Sequence, residues 1–199
     1  MDKSRTAQTW RIAAQRTLLA GILLVLSVSG SVRAADPLPV VDSIDFARYA
    51  GRWYEIARLP NFFQRNCAAD VFAEYSLRED GRIRVYNRCR RENGAIDDVD
   101  GVAQPVDDRG PNSRLEVSFL PRWLRWIPFT WGDYWVIELG ADYDYAVVGT
   151  PSRGYLWILA RAPKLDDALI DGILQRVAKL GFDAAAVQRT VQSEAAAPP

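Results

Sequence analysis

Two cysteines and no histidine bound the chemistry open to this 199-residue chain. Without an imidazole there is no Ser-His-Asp or Cys-His nucleophile system, no His-ligated zinc and no histidine proton transfer. Cys67 and Cys89 are then the residues to account for. As a free thiol, either could be an enzyme's nucleophile. A thiolate needs a basic neighbour or a helix N-terminus to activate it, and neither is evident. In an exported chain the even pair favours a disulfide, which would close a loop of about twenty residues and stabilise by about 3 kcal/mol if unstrained. Nothing implies a cofactor or a metal.

The second unusual group is aromatic. Pro121 to Trp131 carries Trp123, Trp126, Phe129 and Trp131 together with Arg122 and Arg125, and Phe62 and Phe63 stand side by side in an earlier loop. Solvated loops do not normally hold so much apolar surface. Three uses fit the same physics. Trp rings favour the headgroup level of a membrane, where arginines reach phosphates; the loop could equally fold as a lid over a ligand, or form a dimer or protein-interaction surface through residues 121–131.

The elements that would carry these residues begin after a leader. Lys3, Arg5, Arg11 and Arg16 precede an apolar run from Leu18 to Val28, and Val32-Arg33-Ala34 offers small residues for cleavage. This reads as a secretory signal over 1–34, because the run is far shorter than the ~20 residues that span a bilayer. An uncleaved anchor is the alternative. No Cys follows the run before Cys67, so lipid attachment at a processed N-terminal Cys is unsupported. Cleavage removes five basic residues and one acidic one, leaving 20 against 24. A mildly acidic chain gives no footprint for nucleic acid and no polybasic patch for anionic lipid. The remaining 165 or so residues suffice for one domain, 35–192, followed by a disordered tail at 193–199.

Within that domain the pattern is of strands. Gly51 to Arg58 alternates so that Trp53, Glu55 and Ala57 share one face and Tyr54, Ile56 and Arg58 the other. Two alternating runs flank Asp80-Gly81. A three-residue turn there opposes Leu77 to Ile83, Tyr75 to Val85 and Val71 to Cys89, keeping both apolar sets on one side. Further strands are read at 98–105, 114–120, 132–139, 143–150 and 155–161, making eight. Eight meandering antiparallel strands predict an all-β fold closed into an up-and-down barrel, since closure removes exposed edges. Asp166 as N-cap, apolar residues at helical spacing and Gly181 predict one C-terminal helix packed outside, with a closing edge strand at 189–192.

On these residues the chain resembles the lipocalins. Gly51-x-Trp53 on the first strand, Asp142-Tyr143 before the seventh and Arg161 at the end of the eighth match that family's three signatures in order. It is most similar to the branch of bacterial lipocalins, plant temperature-induced lipocalins and apolipoprotein D, through Trp53 to Arg58, Gly132 to Ile137 and Tyr155 to Arg161. The resemblance implies that Trp53 closes one end of the barrel and that Arg161 packs across its indole as a structural pair. It also implies that the first and fifth connections, holding Phe62, Phe63 and the 121–131 run, lie at the open end.

Alternation then selects a lining: Ala73, Tyr75, Val85, Asn87, Val117, Phe119, Tyr134, Val136, Val148, Tyr155 and Trp157. Such an apolar, aromatic interior suits a fatty acid, lysophospholipid or similar amphiphile with its head group near the mouth. A barrel plugged by its own side chains is the alternative. The expected function is carriage or storage of a small hydrophobic ligand in membrane lipid maintenance, without catalysis; the alternative that the resemblance also implies is a lipid-modifying, isomerase-type enzyme using a cavity thiol. The expected setting is periplasmic or secreted, or peripheral at the outer membrane, as monomer or homodimer.

Overall fold

In a computed structural model of the chain, residues 36–193 are described, apart from Asp108 and Pro128. The expected leader and all of the expected tail after Ser193 lie outside the described residues. A compact unit that begins at Pro37 carries every described element.

That unit begins with a one-turn helix α1 (Phe46–Tyr49), capped by the Asp45 side chain. Eight strands follow: β1 (Gly51–Arg58), β2 (Ala69–Leu77), β3 (Ile83–Arg90), β4 (Ile96–Pro105), β5 (Arg114–Ser118), β6 (Gly132–Leu139), β7 (Tyr145–Gly149) and β8 (Leu156–Ala160). Each pairs antiparallel with the next, and β1 pairs with both β2 and β8, so the sheet closes. The turn between β2 and β3 is the three-residue one. Arg78 N donates to Arg82 O, Gly81 takes φ +76, and Leu77 and Tyr75 face Ile83 and Val85.

Simple alternation fails at three places, one of them on β6, whose register against β7 shifts between Val136 and Glu138. On β1 the register against β8 shifts between Glu55 and Ala57, so Glu55 opposes Leu159 while Arg58 opposes Trp157. Ile56 is the extra residue of a bulge. Arg58 therefore joins Glu55 on the inner face and Ala57 joins the outer core, the reverse of the expected assignment. On β2 a second shift lies between Ala69 and Phe72, where Asp70 takes φ +53. The expected Val71–Cys89 pair is not formed: Ala69 opposes Arg90 and Phe72 opposes Arg88 on either side of the shift.

Two apolar layers result. The inner one is built on Trp53, Tyr75, Ile83, Val85, Leu115, Val136 and Val148. The outer one joins Tyr54, Ile56, Leu156 and Ile158 to Ile170, Ile173 and Val177 of α2 (Asp167–Lys179). The Asp166 side chain accepts from Leu169 N at 3.1 Å and caps this helix, whose buried stripe lies on the outside of the barrel. The C-terminal strand β9 (Gln188–Arg189) is shorter than the expected 189–192 and stands at the end of the strand order. It pairs with β1 at Ala57 and Arg58, while Asp70 N of β2 donates to Val191 O. The segment thus fills the gap that opens once β1 and β2 part beyond Tyr54 and Phe72.

Candidate functional site

The closed end is a lock built from one cation and four carbonyl groups. Arg161 Cζ lies 4.0 Å from the centre of the Trp53 ring, a stacking and cation–π contact. Its guanidinium also donates to Arg48 O, Arg52 O and Tyr143 O, while Trp53 Nε1 donates to Tyr49 O at 2.7 Å. The fork geometry of arginine is what lets one side chain satisfy three carbonyls at a chain crossing.

Above the indole sit three tyrosines. Tyr134 OH is 2.9 Å from Tyr49 OH and 2.8 Å from Tyr75 OH. Burial raises the pKa of all three, that of Tyr75 to about 12. They stay neutral and serve as hydrogen-bonding groups. Three hydroxyl protons share two mutual contacts, so one proton is left to point elsewhere. With Ile83, Val85, Ala103, Leu115 and Val117 these rings line a cavity of about 10 Å³. That is room for about one water.

Nearer the mouth the character changes. Arg58 Nη1 donates to Glu55 Oε1 at 2.5 Å, and Thr190 Oγ1 and Gln64 Nε2 donate to the same carboxylate. Gln64 Oε1 in turn accepts from Trp157 Nε1 at 2.9 Å. This buried ion pair is held by further hydrogen bonds, as a desolvated pair must be. Arg58 Nε and Asn87 Oδ1 are buried there without a partner. Phe63 stacks on Tyr155 and Trp157, whose own rings are nearly parallel at 6°, and Phe62 lies beneath Arg65.

Of the residues selected from alternation, Tyr75, Val85, Val117 and Tyr134 line the inner space. Ala73, Val136 and Val148 belong to the same core, with Trp157 packed against it. Phe119 and Tyr155 stand about one-third exposed, and Asn87 is half-buried. Sequence reasoning left out Tyr49 and Ala103, and placed Arg58 outside. Tyr49 arrives from α1, outside any strand pattern; a bulge hides Arg58.

In the loop between β5 and β6, Trp123, Trp126 and Phe129 are exposed, whereas Trp131 is half-buried with its Nε1 donating to Arg125 O. None of these rings stacks on Phe62, Phe63, Tyr155 or Trp157. Cys67 and Cys89 are joined in a disulfide, which removes the thiol nucleophile that the enzyme alternative requires.

Comparison with known proteins agrees with this geometry. The family model described as a lipocalin-like domain matches residues 44–192. The chain is 37% identical over 158 residues to temperature-induced lipocalin-1 of Arabidopsis thaliana, covering 79% of this chain and 84% of that protein. It is also 37% identical to outer membrane lipoprotein Blc of Escherichia coli K12 (76% and 84% covered) and 36% identical to apolipoprotein D of Macaca fascicularis (67% and 69% covered). Among solved structures, insecticyanin of the tobacco hornworm Manduca sexta superposes with a TM-score of 0.60 at 24% identity, covering 81% of this chain and 87% of that one.

Proposed function

Since the chain belongs to the lipocalin-like family, known for binding small hydrophobic ligands, we propose that its barrel carries an acyl amphiphile such as a fatty acid or lysophospholipid. The observation that supports this is the inner core of aliphatic and aromatic residues, with the buried Glu55–Arg58 pair and Gln64 set toward the mouth. An acyl tail enters the apolar part, and a polar head stays with Gln64, Arg58 and Asn87. Asn87 Oδ1, buried without a partner, favours a head group that brings a hydrogen-bond donor. The binding set is Ala73, Tyr75, Val85, Asn87, Val117, Phe119, Tyr134, Val136, Val148, Tyr155 and Trp157. Relatives named outer membrane lipoprotein and apolipoprotein support a lipid ligand and an exported setting, in the periplasm or beyond it.

The narrow inner space favours a second reading, a barrel plugged by its own side chains. Native mass spectrometry of the purified protein, followed by solvent extraction, separates the two. A stoichiometric acyl lipid is the expected result. An empty barrel that also takes up no added fatty acid or lysophospholipid overturns the carrier reading and leaves the plugged one.

A further inference from the structure

The segment between β5 and β6 presents its rings to solvent as few folded segments do. Phe129 is fully exposed, Trp126 is 78% and Trp123 71% exposed, and Phe129 holds a left-handed φ of +67 that a bulky residue adopts only under constraint. A 3₁₀ turn at Arg122–Leu124 and the hydrogen bonds from Arg125 Nε to Leu120 O and from Trp131 Nε1 to Arg125 O give the segment a shape of its own. The rings therefore project from an ordered base.

The charge around them is predominantly positive, with Asp80 as the carboxylate between Arg78 and Arg82. The Arg125 guanidinium is held below its ordinary pKa by burial and by the charges of Arg78, Arg82 and Arg122. Arg78 and Arg82 flank the β2–β3 turn, so the loop brings its cations beside that turn. Among the described residues no carboxylate pairs with Arg82, Arg122 or Arg125, and only the exposed Asp80 pairs with Arg78. Four cations gathered on a chain with equal numbers of basic and acidic residues indicate an anionic partner. Three splayed rings among them indicate one with an apolar layer just beneath the charge.

We propose that Trp123, Trp126 and Phe129, with Arg78, Arg82, Arg122 and Arg125, form a docking face for a bilayer bearing anionic phospholipid: the arginines meet phosphates and the rings enter the interface. The face names the membrane with which the proposed carrier exchanges lipid, and in that purpose it rests on the carrier reading. The docking itself needs no ligand in the barrel.

The test is co-sedimentation of the purified protein with vesicles of phosphatidylcholine alone or of phosphatidylcholine mixed with phosphatidylglycerol. Binding to the mixed vesicles is expected to be at least about tenfold tighter and to weaken as salt is raised. Arg82→Gln with Arg122→Gln is expected to lose about tenfold on the mixed vesicles, and Trp126→Ser with Phe129→Ser to abolish binding, with circular dichroism and thermal melting unchanged. Equal binding to both vesicle types, no binding to either, or full binding by the variants overturns the proposal. So does a dimer, seen by light scattering, that Trp126→Ser dissociates while vesicle binding stays absent. Extractable lipid without vesicle binding removes the docking face and leaves the carrier; vesicle binding by a barrel that takes up no lipid does the reverse.

Discussion

Tyr75 shows how a single inward residue ties stability to pH. Its hydroxyl lies 2.8 Å from Tyr134 OH inside the barrel, and burial raises its pKa to about 12, against a weaker lowering by the Tyr134 hydrogen bond and the charge of Arg161. An unfolded chain loses the same proton near pH 10, so from there upward the folded state binds more protons than the unfolded one. The neutral ring's contribution is whole below pH ~10 and drains away as pH climbs through about 12, a loss of about 2–3 kcal/mol for two pH units. Tyr75→Phe cannot ionise. Urea melts repeated between pH 9 and 12 are expected to show a shallower alkaline decline in Tyr75→Phe than in the parent, by about one proton. Equal slopes would mean that the hydroxyl is already solvated in the folded barrel. Tyr49 and Tyr134, raised in the same way, keep part of the decline in both proteins.

The strands were legible from the sequence wherever one side chain follows another without interruption. Gly51 to Arg58 and Gly132 to Leu139 have the bounds that alternation predicts, and the β2–β3 register follows from matching apolar faces around a Gly81 turn. What alternation cannot carry is a change of phase. The bulge at Ile56 turns Arg58 inward, and the left-handed Asp70 breaks the pairing of Val71. Both sit where β1 and β2 separate, and the contacts that fix them come from far along the chain. Thr190 Oγ1 donates to Glu55 Oε1, and Gln192 Nε2 donates to Glu55 O and Val71 O. No local pattern at Glu55 announces a partner at Thr190. The segment from β9 to Gln192 is thus a clasp across the parted strands, and the Thr190 hydroxyl is one of three donors to a buried carboxylate. Thr190→Val keeps the shape and removes the donor. A charged acceptor losing one hydrogen bond is expected to cost about 2 kcal/mol in urea denaturation. Hydrogen exchange should quicken at β1 amides near Ala57 and Arg58 while the Trp53 end stays protected. A loss spread evenly over the barrel would show that β9 is merely part of the common core.

Closure gives the molecule its economy of edges and also its difficulty, because a sealed and nearly filled barrel must still admit a ligand. The inner space has room for about one water, so uptake of an acyl chain requires side chains to move. Burial indicates which ones. Tyr75, Val85 and Leu115 are locked among neighbours, whereas Phe119 is 38% exposed, just beyond the last paired residue of β5. Its ring covers Gly101 so closely that a Cβ there would lie 2.6 Å from Phe119 Cδ1 and 3.0 Å from Ser118 O. Gly101 does not need a positive φ, so alanine is tolerated by the backbone and the conflict falls on the ring. A ring with one side already in solvent has somewhere to go. Gly101→Ala is therefore expected to swing Phe119 outward, with about 1 kcal/mol or less lost in stability. Uptake of a fluorescent fatty acid, followed by stopped flow, should be several-fold faster than in the parent. A variant that melts markedly lower and takes up lipid no faster would mean that Phe119 is a fixed part of the wall. In that case the chain must enter past Trp157 and Tyr155, whose stacked rings form the other partly exposed surface at the mouth.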